Sequence, residues 1–324
     1  MKPRQAESSN RVIYAALIGN VLVAVAKFVA AGFSGSGAML TEAVHSSTDS
    51  INQVLLLIGG RRSAAPPDKS HPFGYGLEIY FWTFVVAVMV LIAGGAVSVA
   101  EGLHKLASHE PAKSPVINLA VLGVSTLFEA GSFTVGYREY RSTVRGRRVD
   151  GKHIGFWKFI EISKNPSLYE SLLEDVAALI GLAIAAAGVI AGAWFHVGWA
   201  DGAASIAIGA LLIVTALIIV RATQGLIAGE AAAEPVLDDI AFALAGERTP
   251  IPPADIRTLQ LGPNEILVTL PAALILGDLA AEPEAWARDI ARRVRSVDHR
   301  ISHVLFAFDD GGRGPAEAPK HPPV

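Results

Sequence analysis

Charged and imidazole side chains stand in the middle of long apolar runs in this chain. In AMLTEAVHSSTDSINQVLLLIGG, residues 38–60, His45 and Asp49 are four residues apart, a spacing that puts both on one face of a helix. In SLYESLLEDVAALIGLAIAAAGV, residues 167–189, Glu174 and Asp175 sit at a matching depth. A charge at the centre of a membrane helix costs roughly 2.5–3.5 kcal/mol on insertion scales. A chain that places several at one level of a bundle uses them. Imidazole nitrogen with carboxylate oxygen is a donor set suited to a divalent transition metal.

Composition agrees with a membrane setting. The chain is 52% hydrophobic with mean hydropathy +0.42, and the apolar residues are gathered into runs. About 20 apolar residues are needed to cross the bilayer core, and six segments reach that length: 12–33, 38–60, 80–101, 114–137, 167–195 and 199–226. A tight turn through Gly32, Ser34, Gly35 and Gly37 joins the first two, and another near His196–Asp201 joins the last two. Net charge is −3, which gives no bias toward nucleic acid. With no cysteine, disulfides and thiolate metal sites are excluded. The N-terminal MKPRQAESSNR is polar, leads directly into a full-length span and does not read as a cleavable signal.

Basic residues set the expected orientation. Arg61, Arg62 and Lys69 follow the second span, and Arg138, Arg141, Arg145, Arg147, Arg148, Lys152, Lys158 and Lys164 lie between the fourth and fifth. Lys2, Arg4 and Arg11 precede the first span, while the opposite side has only His104, Lys105 and Lys113. Both termini are therefore expected in the cytoplasm, in a bacterial inner membrane.

After Gly229 the composition becomes that of a soluble domain. Helices are expected over 235–246 and 282–296, and strands over 254–261, 265–270 and 302–308. The order is α-β-β-α-β. The expected organisation is a six-helix membrane domain over 1–229, a small α+β domain over 230–310 and a disordered tail over 311–324.

Within the membrane, Glu42, His45, Asp49, Asn52 and Gln53 form one polar stripe, and Ser171, Glu174, Asp175 and Ala178 a second, with Glu170 one turn before Glu174. Neither stripe can face lipid, so the two are expected to face each other. His45, Asp49 and Asp175 supply three ligands; Glu174 or water supplies the fourth. Glu42 and Glu170, nearer the helix ends, read as vestibule residues. Asn52 and Gln53 read as helix–helix hydrogen-bonding groups, and Glu129 and Asp201 as structural or pathway residues. Nothing resembles a phosphate-binding loop or a hydrolytic constellation, so the chain is not read as an enzyme, and no cofactor is expected beyond the transported ion.

These motifs together resemble the cation diffusion facilitator family over nearly the whole chain. The family's second-span motif falls on His45 and Asp49, and its fifth-span motif ends on Asp175. The loop His71-Pro72-Phe73-Gly74-Tyr75-Gly76 before the third span is similar to a family element. The stretch from Asn165 through Tyr169 to Glu174-Asp175, with Gly229-Glu230-Ala231-Ala232, is similar to the mitochondrial zinc transporter branch. The resemblance implies export of a divalent metal, Zn²⁺ first, in exchange for protons, by a homodimer. One position departs: where the family has His or Asp four residues before the final Asp, this chain has Ser171, and Glu174 becomes the substitute ligand. That acid-rich set also suits Mn²⁺ or Fe²⁺, and loss of transport with retention of the fold, as in a sensor subunit, is the contrasting expectation. Family members also bind metal after the second span; Asp68 and His71 match, though a turn is the simpler role. His299, His303 and Asp309 are a candidate regulatory site. The aromatic stretch Gly155–Phe159 is either a surface helix or a plain loop.

Overall fold

The computed structural model describes residues 3–108, 114–145, 148–149, 152–245, 255–272 and 283–307. The candidate Asp309 and the tail 311–324 lie outside them. The chain divides into two compact units, Met1–Ala228 and Gly229–Val324.

The first unit is helical. Helix α1 (Pro3–Ser34) turns through Gly35 into α2 (Gly37–Ser63). Gly35 has φ 64°, a conformation glycine reaches without the clash a Cβ would bring. The third long element is α3 (Glu78–Met89), a π-helical segment (Val90–Ala96) and α4 (Val97–Ser108). Then come α5 (Pro115–Val144), a two-residue hairpin of β1 (Arg148–Val149) with β2 (Lys152–His153), and the short α6 (Phe156–Ile162). The loop between the fourth and fifth spans thus carries a helix of about two turns on its aromatic stretch. Helices α7 (Pro166–Trp194) and α8 (Ala200–Ile227) complete the unit.

Five stretches are long and apolar enough to cross a membrane among the described residues: Leu17–Ser34, Glu78–Ala107, Pro115–Val144, Pro166–Trp194 and Ala200–Ile227. The remaining long helix, α2, is 27 residues long and completes six spans. It falls short on apolarity because its polar residues are packed inside the bundle: Thr41, Glu42, His45, Ser46, Thr48 and Asn52 are buried, while Ile51, Val54 and Ile58 are exposed. Polar-inside, apolar-outside is the arrangement a lipid solvent selects. Helix α2 packs on α1, α3, α7 and α8, and α7 packs on α5 and α8. Ala38, Met39, Val86, Leu122, Leu182, Ile208 and Leu212 form the apolar centre.

Helix α8 runs against α4 and the π-helical segment before it with almost no space between backbones. A Cβ on Gly202 would stand 2.9 Å from the Gly102 carbonyl oxygen, and one on Gly209 2.9 Å from that of Gly95. The two glycines on each helix are seven residues apart, so the close approach recurs after two turns.

The second unit contains α9 (Glu234–Leu244), β3 (Arg257–Gly262), β4 (Glu265–Pro271), α10 (Pro283–Val297) and β5 (Ile301–Ala307), the expected α-β-β-α-β order. The sheet order is β3-β4-β5; β3 pairs antiparallel to β4 and β5 parallel to β4. A parallel pair needs a crossover, and α10 lies in it. Ile266, Val268 and Leu270 alternate inward on β4 and pack on Val236, Ile240, Leu244, Ile290 and Val294 of the helices.

Candidate metal centre

Three and a half turns of α2 and two of α7 build the polar centre. His45 Nδ1 lies 3.3 Å from Asp49 Oδ1, with the two side chains 2% and 17% exposed. The His45 Nε2 atom has no hydrogen-bond partner. One turn further, the Asn52 amide donates to Glu174 Oε1 at 2.7 Å, tying α2 to α7. Asp175 turns to the other side, where the Ser132 hydroxyl of α5 donates to its Oδ1 at 3.0 Å; its Oδ2 is unpartnered. Glu174 and Asp175 both lie within electrostatic reach of Asp49, as does Glu129 of α5. The structure therefore joins His45 to Asp49 and hangs Glu174 and Asp175 around that pair. Among the described residues no three imidazole or carboxylate groups converge closely enough to grip an ion.

Below this lies a cluster that sequence reading passed over. The Lys27 ammonium of α1 donates to Glu42 Oε2 at 3.1 Å and to the Ser46 hydroxyl at 2.7 Å. Lys27 and Glu42 are both wholly buried. Gly181 of α7 makes room for this pair, since a Cβ there would stand 2.7 Å from Glu42 Oε1. Elsewhere Asp201, at the start of α8, accepts from the Ser36 hydroxyl and from the backbone N–H groups of Gly37 and Ala38, at 2.6 and 3.3 Å for the latter two. A carboxylate there satisfies amides that the first turn of α2 leaves free. Asp201 is thus structural.

A sequence profile of the cation efflux transmembrane domain matches residues 13–225. The chain belongs to the cation diffusion facilitator family. It is 32% identical over 191 residues to the mitochondrial proton-coupled zinc antiporter SLC30A9 of Homo sapiens, covering 57% of this chain and 33% of that protein. It is 31% identical over 225 residues to metal tolerance protein C4 of Arabidopsis thaliana, covering 69% and 48%. A 78-residue stretch is 33% identical to magnetosome protein MamM of Magnetospirillum gryphiswaldense, 24% of each chain. The chain spans a third to a half of the length of the first two relatives. It is an integral membrane protein of a cation efflux family and not an enzyme.

Three expectations about this family site need correction. Ser171 does not share the buried face with Asp175 and Ala178; it is exposed, because the packed side of α7 turns toward Leu172, Asp175 and Leu168. Glu42 and Glu170 are not open vestibule groups: both are 0% exposed, and Glu42 is paired with Lys27 of α1. Among the described residues neither Glu170 oxygen has a hydrogen-bond partner. By contrast Asn52 joins helices as expected.

Of the outlying candidates, Asp68 is the knot of a turn. Its Oδ1 accepts from the Ser70 N–H and hydroxyl at 2.8 and 2.7 Å and from the His71 N–H at 2.7 Å, and its Oδ2 from the Tyr75 hydroxyl at 2.7 Å. The Ser70 and Tyr75 hydroxyls, then the His71 amide, hold its carboxyl well below the usual carboxylate range. The His71 ring lies 4.0 Å from that of Tyr75. These bonds carry the turn reading. In the second unit His299 is 90% exposed, 3.6 Å from Asp298. Burial works to raise the Asp298 carboxyl, but the Arg300 guanidinium and N–H win and hold it low.

Proposed function

We propose that the protein exports a divalent metal, Zn²⁺, from the cytoplasm in exchange for protons, with His45, Asp49, Asp175 and Glu174 as ligands. The observation that supports this is the buried His45–Asp49 pair at 3.3 Å, with two further carboxylates on the helix packed against it, inside a cation efflux domain. To close on the ion, Glu174 leaves Asn52 and Asp175 leaves Ser132, so the ion draws α2 and α7 together. Binding requires neutral imidazole and ionised carboxylates; metal entry therefore releases protons, and proton entry releases metal. The human relative is a proton-coupled zinc antiporter by name, the same exchange in that protein. The metal is cargo, and no resident cofactor belongs to the proposal.

Three carboxylates to one imidazole also suit Mn²⁺ and Fe²⁺, which makes a Mn²⁺ or Fe²⁺ exporter the second reading. The full chain in liposomes, with metal and pH dyes inside, separates the cases across Zn²⁺, Mn²⁺, Fe²⁺, Co²⁺ and Cd²⁺. Zn²⁺ entry with opposite proton flow is expected. A Mn²⁺ or Fe²⁺ preference selects the second reading, and binding without flux selects a sensor.

The proposal includes a homodimer through the second unit, whose Phe242 is 84% and Leu305 45% exposed; a monomeric mass in detergent overturns it. Both termini are placed on the side of the basic loops. The bacterial inner membrane finds no support in the comparisons, whose animal relatives are labelled mitochondrial.

A further inference from the structure

The C-terminal end of α5 holds a cavity that ion transport does not use. It measures about 1070 Å³ and is lined by Phe133, Tyr137, Tyr140, Arg138, Arg141 and Arg145, with Ile154 closing the far wall. At 100° per residue, positions 138, 141 and 145 fall within about 60° of one another on the helix, so the three guanidiniums share one face. None of the three has a carboxylate partner among the described residues. The one acid of this turn, Glu139, is not part of the lining; its carbonyl receives the Ser142 and Thr143 hydroxyls. Three like charges gathered without a counter-charge repel one another, and an anion between them relieves that repulsion.

Position in the membrane says which anion. At 1.5 Å per residue, the 30 residues of α5 extend about 45 Å, against a hydrocarbon core of about 30 Å. The apolar part, with exposed Val116, Ile117, Leu127 and Phe128, occupies the first two-thirds. The stretch from Phe133 to Arg145 therefore starts at the edge of the hydrocarbon core and runs out through the headgroup level. Its aromatic rings are those of an interfacial belt: Tyr140 packs at 4.9 Å centroid distance on Phe159 of α6, and Trp157 beside it is 65% exposed. Fixed aromatic walls with a guanidinium face suit a phosphodiester on one side and glycerol and acyl carbons on the other.

We propose that Arg138, Arg141 and Arg145 form a binding site for the headgroup of an anionic phospholipid. The lipid clasps the end of α5, the helix that carries Ser132 and Glu129 to the polar centre.

The full chain in neutral detergent is titrated with dioctanoyl phosphatidylglycerol, dioctanoyl phosphatidylcholine and inorganic phosphate, and binding is read from the shift of its thermal transition. Phosphatidylglycerol is expected to bind about tenfold or more tighter than phosphatidylcholine. Arg138→Gln/Arg141→Gln/Arg145→Gln brings the two within about twofold. Arg61→Gln/Arg62→Gln/Lys69→Gln, which removes the same charge from the same side, leaves the preference in place. Equal binding of both lipids by the native chain overturns the site, as does a preference that survives in the triple variant. Phosphate competing at equal concentration with phosphatidylglycerol makes it an anion site and overturns the lipid. Where the triple variant does not fold, the three single variants are read; an unchanged preference in all three overturns the proposal.

Discussion

Asp201 at the start of α8 and Glu170 near the start of α7 are both buried acids in membrane helices, yet their surroundings are opposite. Asp201 receives one hydroxyl and two backbone amides; its negative charge has a fixed use at the N-terminus of α2. Glu170 receives no hydrogen bond among the described residues. Between these extremes stands the polar centre, where Asp175 and Glu174 each hold a single donor and His45 faces Asp49. A buried acid whose lone pairs are spoken for stabilises the fold, whereas one left short of donors is available to a cation. Both are buried carboxylic acids; the count of donors separates them.

The comparison breaks most visibly at the ligands. Asp49→Ala and Asp175→Ala are each expected to lower Zn²⁺ flux about 100-fold or more, beyond the effect of losing a supporting partner, with the thermal transition nearly unmoved. Near-normal flux in either variant would place the site elsewhere. Asp201→Ala is expected to do the reverse. It strands the Ser36 hydroxyl and two amides, at a cost of about 2–4 kcal/mol of stability, while the surviving folded fraction binds metal normally. Weakened metal binding with an intact melting temperature would erase the distinction drawn here.

Glu174 sharpens it further. Glu174→Gln is expected to weaken metal binding about tenfold or more by calorimetry, and exposed Ser171→Ala to change it little. The larger loss in Ser171→Ala would return the fourth ligand to the family's usual position. The smallest effect belongs to Asp68. Its folded carboxyl titrates below its unfolded value, so its contribution is present above the unfolded carboxylate range and disappears only as pH falls through the folded value. Amide exchange at Ser70 and His71 should stay protected from pH 7 down through pH 4; loss of protection near pH 5 contradicts the turn.

Much of this was written in the local pattern. The apolar runs gave the spans, because length and hydrophobicity act within one helix, and the alternation of Ile266, Val268 and Leu270 gave β4 its inner face. What escaped depends on separation along the chain. Lys27 stands alone in AVAKFVAA with no acid one turn away, and its partner Glu42 is fifteen residues on, across the turn. The Asp201 cap acts over more than 160 residues. Ser171 and Asp175 are spaced to share a face, and only the packing of α7 against α5 decides that Ser171 stays outside. The π-helical segment Val90–Ala96 leaves no mark in apolar periodicity.

The glycine contacts of α8 with α4 and the π-helical segment that leads into it have a mechanical meaning. Where backbones touch with no side chain between them, two helices can neither slide by a turn nor roll past each other without a collision at Gly95, Gly102, Gly202 or Gly209. The pair behaves as a single keel. Any rearrangement that turns the His45–Asp49 pair from one side of the membrane to the other falls to the remaining helices, of which α2 and α7 pack on that keel while α1 and α5 pack on α2 and α7.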